Sequence, residues 1–177
     1  PINSDAPTNG WNDLNLALLN STATLVDSQT NSTGIRTLVT TAIQAANSNG
    51  STAPTGAAAE FAPAGGNSAY GNAFSFSAGV YPYGEVVFSN LSVNVAYHFT
   101  FYASRIGAGG DNREALYTVT GANSGSNTLN ASENSSQAVA VSNIYPRANG
   151  TITFRFEKGP NNNNTYGFFY LSAMKIV

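Results

Sequence analysis

The chain has 177 residues and a mass of 18.4 kDa, one domain's worth and enough to bury a core without disulfides or metal. Only 9% of its residues are Asp, Glu, Lys or Arg, against about 25% in an average soluble protein, and the formal charge is −2. That surface excludes a nucleic-acid binder, whose affinity rests on Lys and Arg at phosphates, and a polybasic membrane patch.

Along the chain, period-two alternation broken by Gly and Asn clusters is the recurring signal. Residues 12–20 have room for a helical turn. Strands are predicted over 22–27 and 35–43, the second with Ile35, Leu38 or Val39, and Ile43 set among Thr and Gln. Residues 45–70, rich in Ala, Gly, Ser, Asn and Pro, break the rhythm and are expected as an ordered excursion along one flank. A helical turn fits within 53–64, restricted by Pro54 and Pro63. Strands resume at 72–77 and 84–89. Over 95–105, Val95, Tyr97, Phe99 and Phe101 share one face, with Ala96, His98, Thr100 and Tyr102 on the other. Strands follow at 113–120, 126–130 and 137–143. At 151–158, Ile152, Phe154 and Phe156 point inward and Thr153, Arg155 and Glu157 outward; 166–177 closes the chain. About ten short strands at this spacing predict an all-β domain over residues 1–177, an antiparallel two-sheet jelly-roll β-sandwich.

Catalytic chemistry finds little footing. The single histidine, His98, sits mid-strand, and there is no GxSxG elbow. A glycosidase needs two suitably spaced carboxylates, yet Glu85, Glu114 and Glu157 read as strand residues and none clusters with a partner. The absence of cysteine removes disulfides, Cys-zinc sites and thiol nucleophiles. The chain is therefore expected not to be an enzyme. No apolar run approaches the ~20 residues of a membrane span. The chain opens on Pro1 with no signal peptide, which reads as a piece of a longer or processed protein. Its Asn/Ser/Thr/Gly-rich surface points to an extracellular, bacterial setting. Sequons such as those at Asn20, Asn31, Asn90 and Asn163 are near chance for this composition.

A sugar presents an apolar C–H face and a fringe of hydroxyls, so a site for it combines rings with Asn, Asp, Arg or Tyr. Exposed loop aromatics are the ones that count. In an antiparallel sandwich alternate loops share an end. With the predicted strands, one end collects 28–34, GVYPYG at 79–84, IGAGGDN at 106–112, 131–136 and GPNNNN at 159–164. If residues 11–18 form a further strand, Trp11 and its neighbour Asn12 begin there too. The expected ligand site then comprises Trp11, Asn12, Tyr81, Tyr83, Arg105, Asp111, Asn112, Arg113, Asn162 and Asn163. Bland roles stay open. Arg105, Asp111 and Arg113 would also serve as a structural ion-pair cluster, Trp11 as a core cap, and Asn161–Asn164 as a turn with left-handed residues. Tyr81 and Tyr83, flanking Pro82, are the least explained by folding. An alternative platform places Tyr102, His98 and Arg155 on one concave sheet face.

WNDL (residues 11–14), LVDSQTNSTGIRTLV (25–39), YHFTFYASRIGAGGDNREALYTVTG (97–121), LNASENSSQAVAVSNIYPRANGTITFRF (129–156) and YGFFYLSAMKI (166–176) span most of the chain. They resemble β-sandwich modules appended to polysaccharide-degrading enzymes of marine and soil bacteria. The resemblance implies a galactose-binding-like jelly roll acting as a non-catalytic carbohydrate-binding module. The implied ligand is a polysaccharide, best matched by an agar- or porphyran-type galactan, and the implied partner is an attached catalytic domain. A monomer is expected. Modules of this type often hold a structural calcium, for which Asp5, Asp13, Asp27 and Asp111 are the loop candidates; no DxDxDG string is present. Competing readings are a structural or adhesive spacer without a sugar site, and a small glycosidase or lyase.

Overall fold

The computed structural model describes residues 11–64, 66–77 and 79–177. The alternating segments form strands β1 (Thr22–Val26), β2 (Ser32–Thr41), β3 (Ala45–Asn47), β4 (Ser68–Phe76), β5 (Gly79–Tyr81), β6 (Tyr83–Ser89), β7 (Tyr97–Tyr102), β8 (Glu114–Thr120), β9 (Ser124–Asn130), β10 (Val139–Ile144), β11 (Ile152–Lys158), β12 (Phe168–Leu171) and β13 (Ala173–Ile176). One layer is a six-stranded sheet in the order β1-β2-β6-β11-β8-β9. The facing layer consists of β10-β7-β13 and β12-β4-β3, with β5 paired to β4. β12 and β13 are successive parts of one run broken at Ser172, so they tie the two smaller sheets together. Every pairing between these strands is antiparallel, and the chain changes layer at β2–β3, β5–β6, β6–β7, β7–β8, β9–β10, β10–β11 and β11–β12. This is the β-sandwich that the alternation predicts.

Its interior is built from the predicted inward positions. Phe99, Phe101, Tyr117, Phe154, Phe156 and Phe169 are fully buried. Phe101 stacks at 4.8 Å on Tyr117 and 4.9 Å on Phe154, and Phe154 lies 5.6 Å from Phe156. Phe156 meets Phe169 edge-on at 5.6 Å, joining the two layers. Such pairs add about 0.5–1.5 kcal/mol each beyond their burial. The Tyr117 hydroxyl donates to the Tyr170 carbonyl at 2.6 Å, and burial pushes its pKa up, so it stays a donor. Gly71 is required beneath this stack, because a Cβ there would fall 2.3 Å from the Phe169 ring.

The excursion is ordered but does more than line a flank. β3 pairs with β4, and a 3₁₀ segment (Gly56–Ala64) lays Phe61 over Tyr102 with ring centres 5.6 Å apart. Both rings are fully buried, and Glu60 pairs with Lys175 at 2.6 Å beside them. The expected platform of Tyr102, His98 and Arg155 therefore does not exist. Tyr102 is covered, and Arg155 belongs to the opposite layer. Residues 12–20 form turns rather than a helix.

The end assignment also needs correction. The chain leaves β2 at the end where β6 begins, since Thr41 pairs with Glu85. The β1–β2 turn consequently lies at the opposite end, where Asn90 Nδ2 donates to the Gly34 carbonyl at 3.1 Å. Between β2 and β6 the chain runs through β3, the 3₁₀ segment, β4 and β5 and returns to the end it left, so loop 28–34 does not share an end with 79–84, 106–112, 131–136 and 159–164.

A candidate ligand site at one end of the sandwich

Three connections meet at the end marked by Tyr83, Lys158, Glu114 and Asn130: residues 103–113, 131–138 and 159–167. Backbone bonds lace the first two together. Arg105 N–H donates to Ala131 O at 2.7 Å, and Glu133 N–H to Arg105 O at 3.0 Å. Ala108 N–H donates to the Glu133 carboxylate at 2.6 Å, and the Ser132 hydroxyl donates to the Asp111 carbonyl. Asn112 N–H donates to Asn163 Oδ1 at 2.8 Å, and Asn163 N–H returns a bond to Asn112 O at 3.0 Å.

The Asn161–Asn164 run explains why the third connection is stiff. Its side chains replace missing strand partners, so the turn is made by amides and not by left-handed residues; the left-handed position is Gly167, at φ 62°. Asn161 donates to both oxygens of the buried Glu114 carboxylate, from N–H at 2.9 Å and from Nδ2 at 3.1 Å. Asn162 is buried and donates to the carbonyls of Glu114 and Phe168 at 2.9 and 2.7 Å. A Cβ at Gly159 would sit 2.6 Å from Glu114 Cγ, so this packing demands glycine.

Asn164 links that frame to the surface. Its Oδ1 accepts from the N–H groups of Tyr166 and Phe168, and its Nδ2 donates to Asp111 Oδ2 at 2.7 Å. That bond, followed by the hydrogen bond and charge of Arg113, outweighs desolvation and lowers the Asp111 pKa below the usual carboxylate value. The Arg113 side chain is 12% exposed, while the Asp111 side chain is 41% exposed. Arg113 donates from Nη1 to the Tyr170 hydroxyl at 2.8 Å and from Nη2 to Asp111 at 3.3 Å and the Ala108 carbonyl at 3.4 Å. It lies 5.6 Å above Phe168 and 5.9 Å above Tyr170, and its buried Nε has no hydrogen-bond partner among the described residues.

Rings continue the site along the β12-β4-β5 face. Tyr166, 40% exposed, sits 4.9 Å from Phe76 and 5.5 Å from Phe168. Phe168 also meets Tyr70 edge-on at 5.6 Å. Burial, and then the neighbouring Tyr170, raise the Tyr70 pKa. Phe74, 54% exposed, donates its backbone N–H to Tyr166 O at 3.1 Å; its ring and the Lys158 stem flank Gly167. The arrangement offers the exposed Tyr166 ring on a loop that Asn164 ties to an accepting carboxylate, and the exposed Phe74 ring of β4 beside Gly167.

The structure thus brings Arg105, Asp111, Asn112, Arg113, Asn162 and Asn163 to one end. Asn162 is a buried strut, and Arg113 is turned inward as the expected ion-pair cluster, though with Asp111 alone; the Arg105 guanidinium donates to the Ile106 carbonyl. Tyr81 lies in register with Asn72 and Phe168, on the ring face. Three expected members lie elsewhere. Tyr83 sits on the outer face of the six-stranded sheet, with the Arg155 guanidinium 3.8 Å above its ring. Asn12 splints β1, exchanging bonds of 2.8 and 2.7 Å with Val26. Trp11 packs 5.8 Å from Phe61 in a satellite of the core. Phe74, Phe76 and Tyr166 escaped the sequence reading because Phe in an alternating strand is ordinarily a core residue.

Of the calcium candidates, Asp27 caps its own turn by accepting from Gln29 and Asn31 N–H at 2.8 and 2.9 Å. Asp5 lies outside the described residues. Among the described residues no three His, Cys, Asp or Glu side chains gather as a metal site would need, and no helix is long and apolar enough to cross a membrane. A cavity of about 720 Å³ opens on the flank between β1–β2 and β13. Its walls combine apolar residues such as Leu14, Phe88 and Met174 with Trp11, Asn12, Asp27, Glu60 and Lys175.

No family model matches the chain, and no curated protein matches it. Among solved structures it is similar to TmCBM61, a carbohydrate-binding module solved in complex with beta-1,4-galactotriose. The identity is 13% and the TM-score 0.36, over 63% of this chain and 68% of that one.

Proposed function

We propose that this protein is a non-catalytic carbohydrate-binding domain that holds a polysaccharide against the Tyr166 and Phe74 rings. Asp111, Asn163 and the loop carbonyls serve the sugar's hydroxyls. The observation that carries this reading is the exposed Tyr166 ring on the loop that Asn164 ties to the half-exposed Asp111 carboxylate, with the Phe74 ring exposed beside Gly167. Fixed loops lose little entropy on binding, and a charged acceptor makes hydrogen bonds about twice as strong as a neutral one. Two features support binding without chemistry. Asp111 has a lowered pKa and cannot hold the proton a general acid needs. Glu114 is buried with both oxygens engaged by Asn161.

The ligand class that suits the site is a neutral or lightly charged glycan of the agar or porphyran type. The domain would work as a monomer outside a bacterial cell, tethering an attached catalytic domain and raising its local substrate concentration. Affinity electrophoresis of the domain in agarose, porphyran, carrageenan, alginate, xylan and cellulose derivatives tests this. Retardation lost in Phe74→Ala supports the reading. Mobility unchanged in every gel favours the spacer, and unsaturated or reducing-end products favour a lyase or glycosidase.

A further inference from the structure

Charge is so scarce in this chain that the engagement of each charged group is informative. Glu60, Glu157 and Asp111 pair with Lys175, Arg155 and Arg113. Glu85 accepts from the Thr40 hydroxyl at 2.8 Å, and Asp27, Glu114 and Glu133 accept from backbone N–H groups. Among the described residues Arg36, Arg105, Arg147 and Lys158 form no ion pair; Arg105 and Lys158 donate to the carbonyls of Ile106 and Gly159, which leaves the guanidiniums of Arg36 and Arg147.

These two guanidiniums belong to the same surface. Arg36, exposed, alternates with the inward Ile35 and Thr37 of β2, so it stands on the outer face of the six-stranded sheet. Arg147 reaches that face from the turn before β11, donating from Nη1 to Thr153 Oγ1 at 3.0 Å. The register fixes what lies between them. Arg36 pairs with Ser89, and Leu38, Val87 and Thr153 form one row across β2, β6 and β11. Leu38 is 37% exposed, an apolar floor open to water. β2 and β11 are two strand spacings apart, about 10 Å.

We infer that this face is a second ligand surface, one that takes an anionic polysaccharide. Its sulfate or carboxylate groups meet Arg36 and Arg147, its C–H edges lie on Leu38 and Val87, and its hydroxyls meet Ser89 and Thr153. The planar guanidinium fork suits either anion. An apolar floor between two forks suits a sugar ring carrying its charge at the margins. A nucleic acid would need more cations than this face offers, in a chain whose net charge is −2. The surface is independent of the ring site, so each is tested separately.

The test is affinity electrophoresis in gels containing kappa-carrageenan, which is sulfated, polygalacturonate, which is carboxylated, or uncharged hydroxyethylcellulose. Wild type is expected to be retarded by at least one of the anionic polymers, more weakly as salt rises. The polymer that retards it names the anion. Arg36→Gln with Arg147→Gln is expected to weaken that binding about tenfold, Arg36→Gln alone to weaken it without moving Tm, and Phe74→Ala to leave it intact. Arg36→Gln alone gives a clean variant, since Arg147→Gln also loses the bond to Thr153. No retardation in either anionic gel overturns the inference. So does retardation unchanged in Arg36→Gln, or equal retardation by single-stranded DNA.

Discussion

Asn164 holds Asp111 by a 2.7 Å amide–carboxylate bond while its own carbonyl oxygen receives the backbone N–H groups of Tyr166 and Phe168. One side chain thereby fixes the exposed acceptor and the exposed ring of the proposed site relative to each other. Asn164→Ala is expected to loosen both and to weaken glycan binding more than its own exposure would suggest, as isothermal titration would show.

The ionisation of Asp111 has a definite pH signature. Its pKa is lowered in the folded state, so its contribution to loop stability and binding is present above the ordinary aspartate value and lost as pH falls through the folded one. Affinity should be flat from about pH 5 to 8 and decline only below about pH 4. Asp111→Asn should bind more weakly at neutral pH and lack the acid decline. A wild-type decline centred near neutrality would contradict the assignment.

Aromatic substitutions separate the proposed site from the one the loops suggested. Phe74→Ala and Tyr166→Ala should each weaken glycan binding about three- to tenfold. Tyr166→Ala should also lower stability, because it packs on Phe76 and Phe168. Tyr83→Ala and Trp11→Ala should leave that affinity within about twofold, one ring being covered by Arg155 and the other packed on Phe61.

Glu114→Ala removes a buried acceptor and strands the two Asn161 donors. The expected cost is about 1–3 kcal/mol in urea unfolding, with the 159–167 connection losing amide-exchange protection first. Gly159→Ala should reproduce much of this by driving a Cβ into Glu114. Equal protection in wild type and Glu114→Ala would show that the carboxylate does not organise the loop.

The Tyr102 hydroxyl is buried without a hydrogen-bond partner among the described residues. Deleting it in Tyr102→Phe should leave stability unchanged or raise it by up to about 1 kcal/mol. Phe61→Ala, which uncovers the same ring, should cost about 3–5 kcal/mol. A large loss in Tyr102→Phe would mean that the hydroxyl is satisfied in solution.

Period-two alternation is a local property, and it identified most strands and the inward rings Phe99, Phe101, Phe154 and Phe156 without reference to distant residues. Composition likewise bounded the chemistry, because so few charges cannot support a nucleic-acid surface. The gathering of polar residues at one end was legible too. Asp111, Asn112, Arg113 and Asn163 fall on connections of adjacent strands, where one reversal suffices to bring them together.

The rings were not legible in the same way. Whether Phe74 faces core or water depends on the irregular β4–β5 pairing between Asn72 and Phe76, which alternation within one strand does not encode. The fates of Tyr81, Tyr83 and Trp11 depend on which end or face the chain reaches after the 45–70 excursion. Short-range pattern thus determined the strands, the core and the scarcity of charge. The tertiary structure decided which aromatics stay in water, because exposure is set by what packs opposite, and those neighbours come from segments far apart in the chain.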